Sequence, residues 1–232
     1  MPIVKSEAFV LKSFRYGETS KIVILFTKNF GKINAIVKGA RNFRSRVCGT
    51  LETMNYIETV IYFKENRDLQ IISAAEYKKS FPVILGNIDK LELSFRIIEM
   101  INKSMIQNEK SIPVFDLIKS TLEELEITEY NLLNNFLKFQ INIIDLMGLS
   151  PEISLLKKKT NETFFDNNEL NLNSEQIEII DIFQKNNLTD IEKFNVDADK
   201  IKLIVDCYEK YLLNHTQGSN FYISKKIFRE IN

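Results

Sequence analysis

Residues 20–39 read SKIVILFTKNFGKINAIVKG, two runs rich in β-branched residues on either side of Asn-Phe-Gly. The runs at 20–27 and 32–39 have the composition and length of strands. Between them, Gly31 closes the NFG turn (29–31), where an antiparallel connection needs a residue able to take positive φ. Outward from this hairpin the texture persists. EAFVLKSF (7–14), NYIETVIYF (55–63) and LQIISAAEY (69–77) also read as strands. In NYIETVIYF the residues Ile57, Thr59, Ile61 and Phe63 alternate onto one face, as a half-buried strand requires. KENRD (64–68) is polar enough to turn the fourth strand into the fifth. Five strands within so short a stretch fit a small closed or partly open barrel. Strand counting alone leaves an SH3-like barrel open as well.

At about residue 80 the period becomes helical. Ile88, Leu91, Phe95, Ile98, Ile101 and Met105 fall on one face. Ser111 and Pro113 open a second helix with the stripe Leu117, Thr121, Leu122 and Leu125. A third starts near Glu129, places Leu133, Phe136, Leu137, Ile144 and Met147 in register, and stops at Gly148 before Ser150-Pro151. The stretch 149–173 is polar and Asn-rich, an irregular insertion in which Lys157–Lys159 reads as a solvated run. Helical signal returns at 175–186 and 197–214, the latter with Ile201, Ile204, Val205, Tyr208 and Leu212 as its stripe. The expected class is α+β. An all-β N-terminal domain at 1–80 precedes an all-α domain at 81–232 that carries the insertion.

The 232-residue chain has zero formal net charge, and the balance is uneven. Residues 1–50 hold ten Lys and Arg against Glu7 and Glu18, which gives +8; the rest therefore carries −8. A chain polarised in this way suggests that its basic part faces a polyanion. No apolar run is long enough for a transmembrane helix. The start MPIVKSEAF lacks the apolar stretch of a signal peptide. The two cysteines, Cys48 and Cys207, lie far apart, as in a reduced intracellular chain. A cytoplasmic location is expected.

The residues offer little for catalysis. His215, the single histidine, sits near a helix end where an imidazole caps carbonyls. There is no GxxxxGK[ST] or GxGxxG loop for a nucleotide, and two cysteines cannot build a four-thiolate zinc site. No catalytic residue, metal ligand or cofactor is expected.

Binding is better supported. Single-stranded nucleic acid needs cations along its phosphates and aromatic faces for its bases. The basic third interleaves both: Phe14, Arg15 and Tyr16, then Lys38, Arg41, Phe43, Arg44 and Arg46 within KGARNFRSR (38–46). Gly39 lets the backbone leave the third strand and approach a phosphate closely. The competing readings are a solvated basic face and, for Phe14 and Phe43, burial in the core at strand ends.

VLKSFRYGETS (10–20) and FGKINAIVKGARNFRSR (30–46), with LQIISAAE (69–76) beyond them, resemble the RecO family of bacterial recombination mediators. These stretches correspond to the family's YGE-S, LT-x-x-x-G-K and KGARRxxSR patterns, and the spacing of the three carries the likeness. Past residue 80 it is a likeness of layout, with LMGLSPE (146–152) where the family writes a helix end, a glycine and a proline. The resemblance implies a five-stranded OB-fold barrel followed by a helical domain. It implies binding of single- and double-stranded DNA, ATP-independent annealing and, with RecR, loading of RecA onto DNA coated by single-strand-binding protein. The acidic C-terminal tail of that protein is a further implied partner, and nucleoid association during repair follows. Lys38, Arg41, Arg44 and Arg46 match the family's basic motif. Many members carry a CxxC…CxxC zinc lobe after the hinge; 149–173 holds no cysteine, so the lobe is expected to be absent or degenerate. Two other functions remain open: an OB-fold RNA-binding protein of translation or ribosome assembly, and a non-catalytic adaptor that binds only protein.

Overall fold

A computed structural model describes residues 2–41, 47, 49–151, 172–191 and 193–216. It divides into two compact units, Met1–Pro82 with Ile98–Phe115, and Val83–Ile97 with Asp116–Asn232.

The first unit is built on five strands: β1 (Ile3–Tyr16), β2 (Ser20–Thr27), β3 (Gly31–Val37), β4 (Tyr56–Tyr62) and β5 (Leu69–Lys79). They close into a barrel in the order β1-β2-β3-β5-β4. β1 is long enough to pair with β2 through its second half and with β4 through its first half. β5 pairs antiparallel with β4 and parallel with β3, Ala35 standing opposite Gln70. That parallel pair closes the sheet. It gives the OB-fold topology and removes the SH3-like alternative.

Alternation fills the barrel. Val23 and Leu25 from β2, Ile33, Ala35 and Val37 from β3, and Ile57 and Ile61 from β4 form one buried cluster with Ala8, Val10, Ile72 and Leu51. Each large member contributes roughly 1.5–3 kcal/mol by leaving water. A register shift between Val10 and Lys12 marks a bulge in β1. The bulge changes which residues of β1 face outward.

Phe9, Phe26 and Tyr56 lie outside that cluster and are nonetheless buried. They are covered by Phe115, whose ring lies 5.2 Å from Phe9, 6.4 Å from Phe26 and 6.1 Å from Tyr56. The segment 98–115 is held further by Lys32, whose ammonium donates to the Asn102 carbonyl at 2.8 Å and whose own carbonyl accepts from Asn108 N–H. Gly31 shows why the turn needs glycine. Its φ is +65°, and a Cβ there would sit 1.9 Å from the Glu109 carbonyl oxygen. The turn and the packing of 106–110 both demand a residue without a side chain.

The helices are α1 (Pro82–Gly86), α2 (Ile88–Ser104), α3 (Ile112–Ile127), α4 (Leu132–Leu146), α5 (Ser174–Lys185), α6 (Leu188–Ile191) and α7 (Ala198–His215). The period placed all but the two short ones. The Glu126 carboxylate caps α1 by accepting from Val83 and Ile84 N–H at 2.9 Å each. Asn173 and Gln176 form a capping box on α5. His215 Nδ1–H donates to the Tyr211 carbonyl, 2.8 Å away, in the helix-end position expected of it.

Two helices depart from the one-face reading. In α2 Ile88 is 43% exposed, while Leu93, Ile97 and Met100 are buried beside the expected Ile98 and Ile101. In α4 every residue from Asn134 to Ile141 is buried. Its polar members make this possible by bonding to neighbouring backbone. Asn134 donates to the Ile191 and Phe194 carbonyls, and Gln140 to that of Val205. Lys138 donates to the Phe183 and Gln184 carbonyls at the end of α5. An encircled helix has no solvent face, so a single stripe understates its burial. Residues 152–171, which carry most of the expected irregular insertion and the place of a zinc lobe, lie outside the described residues.

Candidate nucleic-acid interface

The outer face of the barrel is set by strand parity. Because Val23, Leu25, Ala35 and Val37 point into the core, Ile22, Ile24 and Ile36 point out. In β1, past the bulge, Lys12 pairs with Ile24, Phe14 with Ile22 and Tyr16 with Ser20. Across the next ladder Ile22 pairs with Ile36. One outer surface therefore carries the row Lys12, Phe14 and Tyr16 beside a half-buried isoleucine strip. Phe14 is 40% exposed and Tyr16 54% exposed, so Phe14 is not a core residue. The Lys12 ammonium lies 4.8 Å from the centre of the Phe14 ring, a cation and an aromatic face at one surface.

Arg15 is exposed and stands directly opposite Lys21 in the β1–β2 ladder. Two like charges in a cross-strand pair repel unless something offsets them. Lys21 is offset by the Glu52 carboxylate, to which it donates. Arg15 makes no ion pair among the described residues.

The chain then leaves β3 at Val37 into the basic segment. Lys38 is exposed. Gly39 has a φ of +69°, with open space where a Cβ would stand, so the positive φ alone accounts for the glycine. Ala40 turns back into the barrel core. Arg41 ties this segment to the β1–β2 turn: its backbone N–H donates to the Thr19 carbonyl at 2.9 Å, and its guanidinium donates to the Gly17 carbonyl at 3.0 Å. The start of the basic segment is thereby fixed beside the strand end that bears Arg15 and Tyr16. Phe43, Arg44 and Arg46 lie outside the described residues.

Of the seven expected site residues, the structure thus describes four, Arg15, Lys38, Gly39 and Arg41, and it joins them at one end of the barrel. Arg41 has a structural bond as well as spare donors, since a guanidinium carries five N–H groups. Lys12 and Tyr16 were missed as members of a single row. The signal was present as i, i+2 spacing, and the bulge before Lys12 hid which face that row occupies.

On the opposite ladder, between β1 and β4, charges are paired. Glu7 accepts from the Tyr56 hydroxyl, and this bond, with Lys78 beside it, holds its carboxyl below the usual range. Lys5 bonds Glu58 at 2.6 Å across β1 and β4. Among the described residues no group of three or more His, Cys, Asp or Glu is arranged to hold a metal. No described helix is long and apolar enough to cross a membrane.

The family described as "Recombination protein O N terminal" matches residues 1–81. The chain is also similar to proteins named DNA repair protein RecO. It is 36% identical over 151 residues to those of Chlorobium phaeobacteroides and Chlorobium limicola. It is 33% identical over 151 residues to that of Salinibacter ruber. Each match covers 65% of this chain and 58% of the relative, so the chain matches little more than half the length of these proteins. A closed five-stranded barrel of OB topology, carrying the YGE-S and KGAR patterns at one end, is what the matched region consists of: residues 1–81 match the recombination protein O N-terminal model, and over 151 residues the chain is similar to the RecO DNA repair proteins.

Proposed function

We propose that this protein binds DNA through its barrel and acts as a recombination mediator in DNA repair. It anneals complementary strands without ATP and, together with RecR, loads RecA onto DNA coated by single-strand-binding protein. The observation that carries the reading is the grouping of exposed cations and aromatic faces at one end and one outer surface of the barrel. Lys12, Arg15 and Lys38 offer charge, Phe14 and Tyr16 offer stacking area, and Arg41 is anchored at the same end of the barrel.

Annealing requires no active site. A cationic surface reduces the repulsion between two polyanions and holds them in register long enough to pair. Aromatic faces take unpaired bases without regard to sequence, which suits a protein that must anneal any strand. Non-enzymatic function follows from this mechanism. The acidic tail of the single-strand-binding protein would need a locally basic and apolar groove, since the helical half is acidic on average.

The test is annealing of complementary oligonucleotides, bare and precoated with single-strand-binding protein, with and without RecR. Faster annealing of bare strands, and of coated strands with RecR present, is the expected result. Preference for an RNA oligonucleotide over DNA of the same sequence would move the protein to an RNA-binding role. Absence of any salt-sensitive nucleic-acid binding would leave a protein-binding adaptor.

A further inference from the structure

The helical unit contains a cavity of about 630 Å³ that the DNA reading does not use. Its floor is apolar, with Leu93 of α2, Leu133 of α4, Val196, and Ile201 and Val205 of α7. Its rim is acidic, formed by Asp89, Glu92, Glu129 and Asp206 against the lone exposed base Lys202. Arg96 also lines the cavity, but its charge is already matched. The guanidinium donates to the buried Glu209 carboxylate, lies 3.8 Å from Glu92, and rests 4.3 Å from the Phe136 ring centre. Asp89 and Glu129 are exposed and form no ion pair among the described residues.

Ile88 precedes Asp89 and is 43% exposed; Tyr130 follows Glu129 and is 71% exposed. An apolar centre within a charged rim is the anatomy of a protein-docking patch. The acidic rim favours a partner segment that carries Lys or Arg beside its apolar side chains.

We propose that this cavity docks an amphipathic peptide segment of a partner whose apolar side chains fill the floor and whose lysines or arginines meet Asp89 and Glu129. An acidic segment fits the floor equally well and is repelled at the rim. The site is therefore distinct from any groove that holds an acidic tail.

Binding of a fluorescein-labelled, amidated peptide of Leu and Lys at helical spacing to the full chain tests this, by anisotropy. The same peptide with Glu in place of Lys is the control. The Lys peptide should bind saturably and more weakly as salt rises, and the Glu peptide at least about tenfold more weakly than it. Ala198→Trp, at an exposed position on the lining, should block binding. Asp89→Lys with Glu129→Lys should weaken it about tenfold, with DNA annealing unchanged in both variants. Equal binding of the two peptides, or undiminished binding to Ala198→Trp, overturns the proposal. Binding only to a chain ending after Thr216 overturns it in favour of residues 217–232 as the occupant. Failure of DNA annealing in the unaltered protein bears on the proposed function alone.

Discussion

Replacing Lys38 and Arg41 by alanine, singly and together, separates phosphate contact from loop anchoring. Lys38 is exposed and makes no hydrogen bond or ion pair among the described residues. Its removal should leave the melting temperature unchanged. If it rests on a phosphate, it should lower the slope of log affinity against log salt by about 0.7, the value for one single-strand contact. Between 50 and 200 mM salt that is a roughly 2.6-fold smaller loss of affinity per contact removed. Arg41 carries two roles. Its guanidinium bond to the Gly17 carbonyl at 3.0 Å is lost in Arg41→Ala, while the backbone bond to Thr19 stays. A net loss of about 0.5–1.5 kcal/mol is expected, seen as a melting point lower by a few degrees. The salt slope should fall by the same roughly 0.7 as for Lys38, and by about 1.4 in the double variant. Adding Arg44→Ala and Arg46→Ala should bring the loss to about 3 and remove most annealing. The assay is fluorescence anisotropy with a labelled single strand over a salt series, beside thermal melts of the same preparations. An unchanged slope in the fourfold variant would refute phosphate contact and leave a solvated basic face. A melting point lowered as much by Lys38→Ala as by Arg41→Ala would refute the division of roles.

Phe14→Ala and Tyr16→Ala should each weaken single-strand binding by about 1–3 kcal/mol without altering the salt slope, because stacking releases no counterions. A changed slope in the same anisotropy series would count against stacking. Gly31→Ala should destabilise the protein by roughly 2–6 kcal/mol in urea unfolding, since it adds positive-φ strain to a collision with the Glu109 carbonyl. Gly39→Ala has the strain without the collision and should cost about 1–2 kcal/mol. Burial holds the Lys138 ammonium below the ordinary lysine range. The unfolded chain therefore binds the proton more tightly, and this group's penalty is full below the folded value and is relieved as pH rises through it toward the ordinary lysine range. Unfolding measured over that alkaline window should show stability rising with pH more steeply in the unaltered protein than in Lys138→Met; identical slopes would refute it.

The sequence by itself determined the strands, the longer helices and the charge division, because each is written in neighbouring residues. Alternation in NYIETVIYF, the NFG turn and the three- and four-residue steps of the helices are local patterns. The resemblance through KGARNFRSR was equally legible, since its motif lies within one stretch. Tertiary structure decided what depends on partners remote along the chain. Insertion of β5 beside β3 made the barrel an OB fold, and no residue of β5 announces that neighbour. The bulge at Val10–Lys12 gathered Lys12, Phe14 and Tyr16 on the outer face, whereas a simple period-2 count through β1 puts residue 8 and residue 12 on the same side. Asn134, Lys138 and Gln140 read as the polar side of α4, yet each is buried because carbonyls from α5, α6 and α7 converge on it. Gly31 stood out as a turn residue, but its second constraint comes from Glu109, far along the chain. Local sequence sets backbone preference and side-chain parity; which surfaces meet is fixed only when the packed chain brings distant groups within bonding distance.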